Sequence, residues 1–99
     1  MLVFFSGRRL KPGSFDQFRN AWMPEDQDLP DGTVAIYHAR NLKDPDEVIS
    51  FGLFDGGPDA VGQIRGEEAD ELRRQDAMAA FVENIPLEGV YEVVEEIKP

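Results

Sequence analysis

Two short segments of this chain are apolar on both of the residue sets that alternate along a strand. They are residues 2–5 (LVFF) and residues 48–54 (VISFGLF). Successive side chains of a strand point to opposite faces of the sheet, so a half-exposed strand alternates between apolar and polar residues. We therefore expect both segments to be strands of a sheet that is covered on both faces.

The other regular elements are predicted from spacing and turn residues. A first strand covers residues 1–7, and Ser14 can then cap a helix that must end before Pro24. The apolar face of that helix carries Phe15, Phe18 and Trp22. The remaining predicted elements are strands over residues 33–40 and 47–54 joined by a hairpin turn, a short helix with Val61 and Ile64, a longer helix over residues 67–83, and a last strand over residues 90–97.

The order β-α-β-β-α-β is that of a ferredoxin-like α+β fold, with an antiparallel four-stranded sheet, the spatial strand order 4-1-3-2 and helices on one face. One layer of helices covers only one face. A second copy of the same sheet is the economical cover for the other, so we expect a homodimeric α+β barrel formed by sheet-to-sheet packing. With 99 residues the chain is predicted to be a single domain over residues 1–99.

Composition argues against several classes of function. A net charge of −10 repels nucleic acid and anionic membranes, and no apolar run is long enough for a membrane span. The apolar start reaches Arg8 too soon for a signal peptide, so a cytoplasmic location is expected. With no cysteine and one histidine, we expect no cofactor and no metal, and a site built from carboxylates stays open as the alternative.

Three segments carry a resemblance to known proteins: GRRLKPGSFDQFRNAW at residues 7–22, AIYHARNLKDPDEVISFGLFDG at residues 35–56 and AMAAFV at residues 77–82. Together they resemble the dimeric α+β barrel superfamily, and specifically its antibiotic biosynthesis monooxygenase-like family. The resemblance implies a homodimer with a ligand between sheet and helices. Members include cofactor-free monooxygenases that oxidise polycyclic phenols, haem-degrading enzymes and small-molecule isomerases.

The chain departs from that family's usual residues. Members commonly carry Glu-x-Trp late in the third strand, where this chain has Gly52-Leu53-Phe54, and a histidine in the next short helix, where it has Ile64 or Arg65. The asparagine, tryptophan and histidine of the haem-degrading members are also missing from the matching places. These departures argue against haem chemistry and favour a binding role over catalysis.

His38, the only histidine, is the candidate catalytic residue. A neutral imidazole can take a proton from a phenol or an enol near neutral pH. The alternative is a half-buried strand histidine that a neighbouring side chain satisfies. The topology places His38 at the end of the sheet where the first strand finishes, and it places Trp22 at the opposite end. The face of the sheet that His38 occupies stays open.

The same topology groups a ligand pocket around His38. The guanidinium group of an arginine can donate two hydrogen bonds to a carboxylate or a phenolate. The alternative for each arginine is an ion pair at the surface. The predicted pocket residues are Arg8, Phe15, Arg40, Phe81 and Tyr91. The expected function is a cofactor-independent oxygenase or related enzyme acting on a small aromatic or polyketide-like molecule, with His38 as proton acceptor. The alternative is a non-catalytic small-molecule binding or accessory dimer.

Overall fold

Four strands and one full helix form the described part of the molecule. The computed structural model describes residues 1–22, 29, 31–61 and 76–99. The elements are β1 (Leu2–Leu10), α1 (Phe15–Trp22), β2 (Thr33–Asn41), β3 (Asp44–Phe54), a single 3₁₀ turn (Pro58–Ala60), a helical segment over residues 76–79 and β4 (Val82–Glu92).

The strands form one antiparallel sheet in the order β2-β3-β1-β4. This is the predicted 4-1-3-2 order, and the ferredoxin-like α+β fold is confirmed. Helix α1 begins where the carbonyl of Ser14 accepts a hydrogen bond from the Phe18 N–H at 2.9 Å. Helix and sheet share a core of buried residues that belong to β1, α1, β3 and the helical segment over residues 76–79: Leu10, Phe18, Val48 and Met78.

The two faces of the sheet differ in their cover. Along β3, every second side chain from Val48 to Phe54 is buried, and these lie on the face that α1 packs against. The residues between them lie on the other face, which we call the open face, and Ile49 there is 37% exposed. The larger apolar side chains of the open face are Val3, Phe5, Tyr37, Ile49, Phe51, Leu53, Leu87 and Tyr91.

The last strand begins earlier than its sequence indicates. Val82 pairs with Leu10 and Asn84 with Arg9, so β4 starts eight residues before the predicted position of Val90. The predicted helix end at Glu83 is therefore wrong, as is the predicted strand over residues 93–97, which has no regular structure. Proline is unfavourable in an interior strand because it has no N–H to donate. Pro86 is accommodated here because β4 lies at the edge of the sheet.

The other predicted elements agree with the structure within a few residues. Strand β1 continues three residues past Gly7, and β3 begins at Asp44, so the β2–β3 turn contains only Leu42 and Lys43. The predicted residues 62–75, with Ile64 and most of the longer helix, lie outside the described residues. No helix within the described ranges is long and apolar enough to cross a membrane.

Candidate functional site

The pairing of β2 with β3 places His38 on the helix-covered face. His38 lies directly opposite Ser50, whose side chain is 4% exposed, and Nδ1 of His38 is 2.8 Å from Oγ of Ser50. Ile36 and Arg40 share this face, because strand side chains alternate. The hydrogen bond therefore fixes one edge of the imidazole against the centre of the sheet.

Two aromatic rings of α1 pack against the imidazole. The ring centre of Trp22 is 4.8 Å from that of His38, and the ring centre of Phe18 is 5.7 Å away, both nearly perpendicular to the imidazole plane. Phe18 is completely buried, whereas Trp22 and His38 are half-buried. The described surroundings of His38 are thus a polar contact on the sheet and an aromatic wall on the helix.

The prediction that Trp22 lies far from His38 is wrong. Helix α1 has 8 residues and is therefore about 12 Å long. It runs back along β1 from the Leu10 end, and the four residue steps from Leu10 to Ser6 span about 13 Å of strand, a similar length. Ser6 lies opposite Ser50 in the row that contains His38, so the last residue of α1 reaches the level of the histidine.

The electrostatic surroundings favour the neutral form of His38. Burial lowers the pKa of His38 below its ordinary value, and the positive charges of Arg8 and Arg19 lower it further. Arg8 is itself buried, and its guanidinium carbon lies 5.3 Å from the centre of the Phe18 ring. The Phe18 ring therefore contacts both a buried cation and the imidazole.

The predicted pocket residues divide into two groups. Arg40 lies on the same face as His38, with its guanidinium carbon 4.7 Å from the centre of the Phe15 ring. Phe15 and Phe81 are half-buried and pack on the core that contains Phe18. The structure thus brings Arg8, Phe15, Arg40 and Phe81 to the helix-covered side of the sheet, around the core that contains Phe18.

Tyr91 lies elsewhere, and its predicted position near His38 is wrong. It pairs with Val3 near the beginning of β1, on the open face, where its ring meets Phe5 edge-on at 6.4 Å. The reason is the early start of β4. Because the strand begins at Val82, Tyr91 lies at its end rather than at its beginning.

Ser50 and Phe18 are the site residues that sequence reasoning missed. Phe18 has a signal, since its spacing with Phe15 and Trp22 fits a stacking platform for an aromatic ligand, but the same spacing is more often that of a core face. Ser50 had a weaker one: it is the single polar residue in an otherwise apolar strand segment. A buried polar side chain needs a partner, so a serine in such a segment indicates a hydrogen bond on one face.

A cavity of about 250 Å³ lies beside this cluster rather than over His38. Its lining residues belong to the end of β1, the facing part of β3 and the irregular start of β4: Gly7, Arg8, Arg9, Glu47, Val48, Ile49, Asn84 and Pro86. Arg8 is the residue that the cavity and the His38 cluster share. Among residues 1–22, 29, 31–61 and 76–99, no group of three histidine or acidic side chains could hold a metal ion.

Several solved structures share this fold. A provisionally assigned antibiotic biosynthesis monooxygenase from Chloroflexus aurantiacus J-10-fl is 14% identical, with a TM-score of 0.70 over 98% of this chain and 96% of its own. A protein with the same provisional assignment from Nitrosomonas europaea is 18% identical, with a TM-score of 0.70 over 96% and 100% of the two chains. A conserved protein from Methanosarcina mazei Go1 is 11% identical, with a TM-score of 0.69 over 91% and 89%.

These similarities establish the fold that the sequence resemblance implied. Neither a protein-family model nor a curated protein matches the sequence significantly. At such low identity, a shared fold identifies the architecture and leaves the activity to be argued from the site.

Proposed function

We propose that this protein is a small-molecule enzyme of the antibiotic biosynthesis monooxygenase-like type, which acts without a cofactor on an aromatic phenol or enol. The observation that carries the proposal is the environment of His38: an imidazole that is anchored to the sheet by Ser50 and packed against Trp22 and Phe18, with a lowered pKa that favours its neutral form. The proposed ligand lies between α1 and the sheet, with its oxygen atom at His38.

The chemistry of the surrounding groups fits a ligand that becomes an anion. The half-buried indole ring of Trp22 provides apolar surface for an aromatic ring. The positive charges of Arg8 and Arg19, which lower the pKa of His38, favour a phenolate or an enolate at the same place. An ionised phenol or enol is electron-rich enough to react with dioxygen directly, which is why the proposal needs no redox group.

Oxygen uptake with a panel of phenols and hydroquinones tests this function. The variant His38→Ala should lose at least tenfold in rate, since a side chain that assists proton transfer or stabilises charge contributes about 10²-fold or more. Tyr91→Phe is the control, because it removes a predicted pocket hydroxyl that the structure places on the open face. An unchanged rate in His38→Ala would remove His38 from the reaction.

We also propose that the protein is a homodimer whose open faces pack together. Support comes from the exposed apolar side chains of that face: Tyr37 is 49% exposed, Leu87 53% and Tyr91 44%. Light scattering at micromolar concentration should report the dimer mass, and Leu87→Glu should give monomers because it introduces a charge into the apolar contact. A wild-type monomer at that concentration would contradict the proposal.

A non-catalytic binding function is the second candidate, and the β3 end supports it. Gly52 and Phe54 stand where related enzymes carry Glu-x-Trp, and a Cβ atom on Gly52 would lie 2.7 Å from the Phe54 ring. An apolar ring thus occupies space that a functional side chain would need. Saturable binding of a phenol, measured by Trp22 fluorescence and without oxygen uptake, would favour this function over turnover. In either case we propose a cytoplasmic protein.

A further inference from the structure

In the described structure, the side chain of Ser50 makes one polar contact, which is with His38. It lies in β3, an interior strand of the sheet, and its side chain is 4% exposed. Within the described ranges, its hydroxyl has one hydrogen-bond partner, Nδ1 of His38 at 2.8 Å. A serine that only filled space in this apolar segment could be an alanine.

The direction of this hydrogen bond follows from what a hydroxyl needs. A serine hydroxyl has one hydrogen to donate and two lone pairs that can accept. If Nδ1–H of His38 donated to Oγ, the buried hydroxyl hydrogen of Ser50 would need another acceptor. A buried hydrogen-bond donor without an acceptor destabilises the fold more than an acceptor lone pair that receives no hydrogen bond. The lower-energy arrangement has Ser50 donating to Nδ1.

The alternative acceptors near Ser50 do not change this direction. Ser6 lies opposite Ser50 on the neighbouring strand and shares its face, but the two hydroxyls form no hydrogen bond. The charged groups that act on His38, Arg8 and Arg19, are donors and accept nothing. His38 is therefore the acceptor of the Ser50 hydroxyl, and a neutral imidazole that accepts at Nδ1 carries its hydrogen on Nε2.

We propose that Ser50 is a positioning residue that holds His38 in its Nε2–H form, so that the resting protein offers a ligand oxygen a hydrogen-bond donor. The proposal rests on the proposed function for the presence of that ligand. It also refines the role of His38, because a proton acceptor would need a lone pair on Nε2. In this form His38 stabilises a phenolate, an enolate or a carbonyl oxygen by donation, and a ligand that already carries the negative charge is preferred.

Nitrogen NMR of the resting, ligand-free protein tests the proposal directly. His38 is the only histidine, so every imidazole signal in a uniformly ¹⁵N-labelled sample belongs to it. At a pH above its titration, Nε2 should appear as the protonated nitrogen and Nδ1 as the unprotonated one. The reverse assignment in the wild-type protein would overturn the proposal, and this measurement requires no variant to fold.

Variants at Ser50 then test the cause. Ser50→Ala should lower the ratio of the Nε2–H to the Nδ1–H form by about fivefold, the factor that one net hydrogen bond contributes. Ser50→Thr retains the hydroxyl and should retain the wild-type ratio, and Ser6→Ala is the matched control on the next strand. A ratio that Ser50→Ala leaves unchanged would show that another group sets the tautomer and would overturn the assignment to Ser50.

The two proposals fail in different experiments. If oxygen uptake is absent but Nε2–H dominates and depends on Ser50, the positioning role stands and the enzyme function falls. If His38→Ala abolishes uptake while the resting imidazole carries its hydrogen on Nδ1, His38 acts as the proton acceptor and the role assigned to Ser50 falls.

Discussion

Phe18 is the residue on which the core and the candidate site both depend, and Phe18→Ala is the sharpest test of that position. The ring is completely buried and packs with Leu10, Val48 and Met78 on one side of α1. It also contacts the imidazole of His38 and the guanidinium of Arg8. Truncation removes an aromatic ring from a core that is small because the domain itself is small.

The expected loss is about 3–5 kcal/mol of the free energy of unfolding, the range for phenylalanine to alanine at a buried site. The ring contacts to His38 and Arg8 favour the upper half of that range, since each such contact adds about 0.5–1 kcal/mol. A small domain has about 5–15 kcal/mol in total, so this one substitution removes a large share of its stability.

Urea unfolding followed by far-UV circular dichroism measures the loss, with both proteins at one concentration because dimerisation would couple stability to concentration. Phe15→Ala is the matched control, since Phe15 lies on the same helix but is only half-buried. It should cost less than half as much. A loss below about 1 kcal/mol for Phe18→Ala, or an equal loss for Phe15→Ala, would refute this account of the core.

Two further predictions concern single groups. Burial lowers the pKa of His38 in the folded state, so the unfolded state binds more protons below about pH 6.5. The contribution of neutral His38 to the free energy of unfolding is therefore fully present above that pH. It falls as the pH drops toward the folded pKa, by at most about 1.4 kcal/mol per pH unit. Urea unfolding measured from about pH 5.5 to about pH 7.5 should show this slope, and His38→Gln should remove it. An equal slope in both proteins would assign the pH dependence to the carboxylates. Gly52→Ala should cost about 1–3 kcal/mol in thermal or urea unfolding, because its Cβ would lie 2.7 Å from the ring of buried Phe54; a neutral effect would mean that this ring moves freely.

The strand order could be predicted because apolar pattern and turn residues carry it. Residues 2–5 and 48–54 are apolar on both faces, and a helix pattern separates the first of them from a hairpin. The start of β4 could not be predicted in the same way. Its residues 82–89 contain Pro86 and exposed polar side chains, and a strand at the edge of a sheet needs neither a continuous apolar run nor an unbroken ladder.

The site was predicted in part, because its members depend on lengths and registers that the sequence leaves open. His38 is recognisable as the single histidine, and topology predicts that Arg8, Phe15, Arg40 and Phe81 share its end of the sheet. The predicted position of Trp22 is wrong because α1 has only 8 residues, and its last residue therefore lies level with His38. Ser50 was missed because its contact with His38 depends on which residues of β2 and β3 face one another.

The pairing of β2 with β3 is irregular next to the turn that joins them, and the length of this turn region determines which side of β2 faces the helix. Asn41 pairs with Asp44, so a regular ladder would pair Arg40 with Pro45, yet Arg40 pairs with Val48. Local hydrogen bonds hold the turn and these extra residues, from the Lys43 N–H to Asn41 Oδ1 at 2.8 Å and from Asn41 Nδ2 to the Glu47 carboxylate at 3.0 Å. Losing or gaining one residue in this stretch would exchange the two sides of β2, turning Tyr37 toward the helix and His38 toward the open face. Changes of loop length here, and not only substitutions in the strands, are therefore mutations by which descendants of this chain could gain or lose the His38 site in a single step.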